Sequence, residues 1–303
     1  MRGGRALVGM LNNPAVPSIV RHAPDLVEYI DVIPDRLWYD FEFEGAGDGR
    51  FRRVIGAIEE LKECAEGRTL GGHGIGLSLP SAIPLDTAMV GEVASLAKEL
   101  DFQWFSEHLS MFLVAHGSVP NAQAGLGLPV AYDEETFRII AAKLDVLQRA
   151  LGCDIILENG AVFTPVPDTE MTEPQFLNRL HAELGCGTLL DLHNLYVGQR
   201  NGTLSPPDYL EQLDPDCVKE IHIAGGDELA GFYMDSHSRL TPDDVWDWAY
   251  RFGPRFRNLR AIVFEFHESY FERLGLKGIV RELERMHALA DALAAAPQQR
   301  HAG

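Results

Sequence analysis

Eight short apolar runs recur along the chain, and each ends, or nearly ends, in a glycine or in a side chain able to bind a metal. They lie at 7–11, 29–34, 69–77, 104–110, 155–160, 187–194, 217–225 and 262–267. The runs are continuous rather than alternating, the pattern of parallel strands covered on both faces. Segments with helical spacing separate them at 52–66, 86–100, 134–151 and 173–184, with Asp86, Asp133 and Thr172 placed as N-caps. A further helix is expected after Thr241–Pro242, with the proline in its first turn, and a last one over 270–295.

Eight strand–helix units predict an α/β fold, a (β/α)8 TIM barrel. We expect a single domain over 1–303, with the barrel at about 5–295 and a disordered tail at about 296–303. An open doubly wound sheet has the same periodicity. However, Gly9–Asn13 is no GxGxxG fingerprint, and an open sheet gathers its polar residues at one switch point. Here they recur at the ends of at least six strands, where barrels build their sites.

Those polar residues form one set: His73, Glu107 with His108, Glu158 with Asn159, Asp191 with His193 and Asn194, His222, Asp235 with His237, and Glu265 with His267. Any one buried histidine is an ordinary structural residue. Consecutive segments delivering O/N donors to one rim point instead to a multinuclear metal site. Imidazole and carboxylate donors without thiolates suit iron, zinc or manganese. The i, i+2 spacing of Asp235 with His237, and of Asp191 with His193, puts each pair on one side of an extended segment. Gly225 and Gly226, after His222, permit close approach of a substrate or ligand. Glu107, His193 and His267 are expected to support ligands or face substrate. His116, His181 and His301 have no such context and are expected in solvent.

A net charge of −19 argues against a nucleic-acid backbone as partner, since that needs a basic face. No run reaches the length of a membrane span and no signal peptide is evident, so the expected location is cytoplasmic. Cys64, Cys153, Cys186 and Cys217 are widely spaced and read as structural thiols. Trp104, Tyr196 and Phe264 near strand ends are read as packing residues that could also line the pocket, and Lys219, Arg200 and Arg239 as anchors for an acidic group.

Six segments together resemble one family: HGIGLSLPSAIPLD (73–86), SEHLS (106–110), ENG (158–160), LLDLHNLYVG (189–198), EIHIAGG (220–226) and DSHS (235–238). It is the DUF692 family of multinuclear non-heme iron-dependent oxidative enzymes, within the xylose-isomerase-like barrels that include endonuclease IV. The resemblance implies His73, His108, Glu158, Asp191, Asn194, His222, Asp235, His237 and Glu265 as metal ligands. It implies two or three irons in mixed Fe(II)/Fe(III) states, with O2 as co-substrate. The substrate would be a precursor peptide modified at cysteine or a C-terminal acidic residue, recruited by a separate leader-binding protein. This chain departs from the family pattern where Glu107 replaces aspartate, His193 replaces asparagine and His267 stands at a frequent aspartate. The alternatives are a divalent-metal sugar isomerase or phosphodiesterase on the same barrel, and a non-catalytic metal-binding subunit. The isomerases place a lysine near their metals, and none falls in these motifs.

Overall fold

The computed structural model describes residues 4–41, 49–116, 119–166 and 168–296. Eight parallel strands close into a barrel: β1 (Leu7–Leu11), β2 (Tyr29–Val32), β3 (Thr69–Gly74), β4 (Trp104–His108), β5 (Asp154–Glu158), β6 (Gly187–Asp191), β7 (Val218–Ile223) and β8 (Ala261–Phe264). Each pairs with its neighbour in sequence, and β8 returns to β1 in the register Leu7↔Ala261 to Met10↔Phe264. All eight runs contain a barrel strand, as the TIM-barrel reading requires.

The helices are α1 (Val16–His22), α2 (Ile55–Ala65), α3 (Thr87–Glu99), α4 (Glu134–Leu151), α5 (Glu173–Leu184), α6 (Leu192–Arg200), α7 (Pro206–Gln212), α8 (Asp243–Phe252), α9 (Phe271–Leu274) and α10 (Leu276–Ala295). Asp86 and Asp133 cap α3 and α4, and Thr172 forms a capping box with Gln175 on α5. Pro242 is the N-cap of α8 rather than a first-turn residue. The single helix expected over 270–295 is two, because Gly275 takes φ +67° between α9 and α10. The expected tail lies, apart from Ala296, outside the described residues.

Side-chain alternation along the strands sorts the core into two layers. Ile155 and Leu157 join the large layer between sheet and helices, whereas Ile156 belongs to a smaller cluster inside the barrel with Tyr29, Trp104, Leu189 and Val263. Four of these inward residues have an acidic partner two positions later, nearer the mouth: Tyr29 and Asp31, Ile156 and Glu158, Leu189 and Asp191, Val263 and Glu265. Gly71 stands where a Cβ would lie 1.8 Å from the Tyr29 hydroxyl, so only glycine leaves room for that ring.

Three hairpins interrupt the strand–helix alternation at the rim: Trp38–Asp40 with Phe51–Arg53, Met111–His116 with Val119–Leu128, and Asp227–Leu229 with Phe232–Met234. Buried Cys64, Cys186 and Cys217 and half-buried Cys153 are free thiols. Burial pushes Cys186 and Cys217 up to about 12 and Cys153 to about 11, so none is a ready thiolate.

Candidate metal centre

The nine residues expected as ligands come together at the C-terminal mouth of the barrel. Three groups of donor atoms, each within 4.8 Å of one another, hold seven of them: His73, His108 and Glu158; Glu158, Asp191 and His222; and Asp191, His237 and Glu265. A fourth group joins His193 to Asp235 and His237, and a fifth joins His73 and His222 to Asp31. His73, Glu158, Asp191, His222 and His237 each belong to two groups, so the set reads as adjoining positions with shared ligands.

Hydrogen bonds fix which atom each ring turns inward. Ser106 Oγ donates to the Gly72 carbonyl, so it accepts from His73 Nδ1 at 2.7 Å. His108 Nδ1 donates to the Gly74 carbonyl at 3.0 Å. The Nε2 lone pairs of both rings then face Glu158 Oε2, at 3.6 Å and 3.2 Å. His222 Nε2 lies 3.3 Å from Glu220 Oε1 and 3.4 Å from Asp31 Oδ2, while its Nδ1 is 2.9 Å from Glu265 Oε1. His237 Nε2 is 2.9 Å from Asp235 Oδ1 and 3.2 Å from Glu265 Oε2.

Several of these close approaches are not hydrogen bonds. Asp31 Oδ2, Glu158 Oε2, Asp191 Oδ2, Asn194 Oδ1, His222 Nδ1 and His237 Nε2 are all buried without a hydrogen-bond partner. Buried polar atoms are almost always paired, so such a cluster needs an explanation. Convergent buried donor atoms left unpaired are the geometry of ligands to a common cation.

The electrostatics agree. Burial, then Asp191 and Glu265, hold Glu158 well above the usual carboxylate range. Burial, then Asp235 and Glu265, push Asp191 up to about 6. Burial lowers His237, but Asp235 and Glu265 overcome it and raise the ring to about 10. Burial, with His108 and His222 adding to it, holds His73 well below its ordinary value. Cations would favour deprotonated ligands throughout.

The i, i+2 argument for Asp191 and His193 does not hold. Residues 192–200 are α6, and Asp191 is its N-cap, with Oδ1 accepting from the backbone of His193 at 2.6 Å and Asn194 at 2.9 Å. Asn194 reaches the centre from the helix's first turn, its Nδ2 donating to Glu158 Oε1 at 3.1 Å and its Oδ1 left free. Asp235 and His237 follow the third hairpin rather than a barrel strand, and His237 takes φ +50° instead of an extended conformation. They converge because the loop turns. Gly225 and Gly226 admit the chain's own backbone, not a ligand. A Cβ on Gly225 would sit 2.3 Å from the Leu240 carbonyl, and one on Gly226 2.0 Å from that of Met234.

The three neighbouring candidates separate. Glu107 points out of the barrel and its Oε1 accepts from the His108 amide. His193 is fully buried with Nδ1 2.9 Å from Asp235 Oδ1. His267 is exposed on the rim, and its Nδ1 accepts from the Ser269 amide. Asn159 is no donor to the centre, because both ends of its amide clamp the Asp191 backbone.

Sequence reasoning missed Asp31 and Glu220, fully buried beneath the ligands. Tyr29 donates to Asp31, Trp104 Nε1 donates to Glu220 Oε2 at 2.6 Å, and the two rings stack at 4.9 Å. Phe264 is buried, and Tyr196 packs against Tyr233 and Trp248. Lys219 lies near the opposite end of β7, beside the Asp216 carbonyl, and so cannot serve the mouth. Arg200 and Arg239 are engaged by Glu228 and Asp227. His181 is half-buried against the Cys186 carbonyl, not in solvent. The His116 side chain and all of His301 lie outside the described residues.

Comparison with known proteins places this geometry in context. Residues 10–291 match the family described as RiPP precursor modification enzyme MbnB/TglH/ChrH. A UPF0276 protein of Chromobacterium violaceum is 35% identical over 246 residues, covering 80% of this chain and 86% of the relative. One from Caulobacter vibrioides is 31% identical over 233 residues, covering 76% and 77%. Among solved structures, a xylose isomerase domain protein from Planctomyces limnophilus superimposes with TM-score 0.56 at 14% identity, covering 97% of this chain and all of the other. Endonuclease IV from Thermus thermophilus does so with TM-score 0.55 at 14% identity, covering 94% and 99%. At such identities these two share the fold alone.

Proposed function

The chain belongs to the MbnB/TglH/ChrH family of RiPP precursor modification enzymes, and from that premise we propose that it oxidises a ribosomally made precursor peptide, at cysteine or a C-terminal acidic residue, using dioxygen at two or three irons. The supporting observation is the meeting of lone pairs at Glu158 Oε2, with His73 Nε2 and His108 Nε2 turned toward it by their outer hydrogen bonds. A proton on Glu158 relieves one such contact; a cation relieves all of them.

The donor set fits several ions. His73, His108 and Glu158 would hold one; Glu158, Asp191 and His222 a second; Asp191, His237 and Glu265, with Asp235, a third. Bound iron would supply dioxygen activation and a binding position for the substrate thiolate or carboxylate. The chain's own part is orientation and exclusion. Asp31 and Glu220 hold His222 from below, while stacked Tyr29 and Trp104 close the barrel beneath the centre. Substrate therefore enters from the rim, where His267 stands exposed with Nδ1 accepting from the Ser269 amide and Nε2 3.9 Å from Glu268 Oε2. A separate polypeptide would present the leader segment, and the setting would be the cytoplasm.

The deciding experiment is metal analysis of protein purified without oxygen, with Mössbauer or EPR spectroscopy. Two or three irons per chain, some spin-coupled, are expected. Zinc or manganese alone, with no activity gained on iron reconstitution, would overturn the oxidative reading in favour of a hydrolase or isomerase.

A further inference from the structure

Beside the metal centre lies a cavity of about 330 Å³ between the β5–α5 connection and the α6–α7 turn. Its walls include Tyr132, Val162, Met171, Leu204 and Tyr209, and Glu173 stands among them. Glu173 is 6% exposed and accepts from the Tyr132 hydroxyl at 2.7 Å and the Gly160 amide at 3.0 Å. Both bonds fall on Oε1. The buried Tyr209 hydroxyl also lies against Glu173. Among the described residues neither lysine nor arginine lines the cavity, and Asp208 stands exposed at its edge.

We propose that this cavity receives a cationic side chain, lysine or arginine, of the peptide substrate. A buried carboxylate without a cation is costly, and burial raises Glu173 above the usual carboxylate range despite the Tyr132 and Tyr209 hydroxyls and the Gly160 amide beside it. A lysine or arginine suits the walls because its methylene stem buries against apolar surface while its head carries the charge. An anionic or purely apolar group would leave the acid uncompensated. Gly160 follows the ligand Glu158 by two residues, so the Gly160–Glu173 bond fixes the cavity relative to the centre. The identity of the ligand's source rests on the peptide-modifying reading; the charge preference does not.

The test is NMR titration of the full chain, labelled at the methionine methyls, with capped Ala-Lys-Ala, Ala-Arg-Ala and Ala-norleucine-Ala. A cationic peptide should shift the Met171 methyl with a Kd about tenfold below that of the norleucine peptide, the size of one charge-assisted hydrogen bond. Glu173→Gln should erase that gap, and Leu204→Trp, which leaves the acid in place, should block all three. Equal binding of the norleucine peptide, no shift with either cation, or a preference surviving Glu173→Gln would each overturn the proposal. The titration needs neither iron nor oxygen, so its failure is separable from failure of the iron analysis.

Discussion

His108 Nε2 faces Glu158 Oε2 across 3.2 Å while the Gly74 carbonyl holds the far side of the same ring, so a nitrogen lone pair and a carboxylate oxygen are pressed together in a buried site. This arrangement costs stability until a cation fills it. Glu158→Gln should therefore separate metal binding from folding. The variant should lose at least one ion per chain by elemental analysis. Stripped of metal with chelator, it should melt no lower than the equally stripped parent, because a buried unpaired carboxylate costs about 1–3 kcal/mol. A lower melting temperature for the stripped variant would mean that Glu158 holds the fold itself.

Glu220 and Asp31 compete for the single Nε2 proton of His222, and burial followed by Asp31 pushes Glu220 up to about 7. Glu220→Gln keeps an acceptor for Trp104 and removes one of two crowded acids. Metal affinity should fall about 10–100-fold, as when supporting partners of ligands are removed, while the stripped protein gains stability. Competition against a fluorescent chelator and a thermal melt read the two opposite signs. If both fall together, Glu220 serves packing and not the orientation of His222.

The barrel was legible because parallel strands buried on both faces leave continuous apolar runs, and the rim was legible because ligands end those runs. What escaped notice had physical causes. Asp31 is one acid inside the apolar run YIDV, with no second polar residue to flag it. Glu220 was readable in principle, since it stands two residues before His222 and so shares its inward side. The register of Asp191 and His193 failed because a capping aspartate starts a helix at once, which ends the two-residue period. Asp235 and His237 look like a strand pair, yet a hairpin carries them to the centre through a left-handed His237. Local periodicity cannot report a convergence made by a turning loop.

Lys143 on α4 donates to the carbonyls of Ser78 and Ser81 in the loop after β3, and burial lowers its ammonium to about 8. The folded value lies below the ordinary lysine value near 10.4. Between the two, the unfolded chain binds a proton that the folded chain does not, so stability from this group rises with pH across about 8 to 10.4. Below that window both states are charged and the burial cost is constant. Lys143→Met should abolish this rise, a difference of up to about 3 kcal/mol that solvent screening reduces. Urea denaturation of parent and variant at pH 7.5 and 10 gives the difference directly, since the other titrations cancel.

His193 stands where the family resemblance implies an asparagine, and its ring bridges Asp235 to the neighbourhood of the Tyr233 hydroxyl, with Nε2 3.5 Å from it. Tyr233 in turn accepts from the Gly226 amide at 2.9 Å, so the imidazole links the ligand loop to the hairpin that carries it. Asparagine is too short to span both contacts. His193→Asn should weaken the ion bound by Asp235 and His237 by about 10–100-fold and leave the ion at His73, His108 and Glu158 unchanged. Metal titration should then show one weak step and the rest unaltered. Uniform weakening of every step would instead make His193 a strut of α6, and full retention would leave the family's asparagine and this histidine interchangeable.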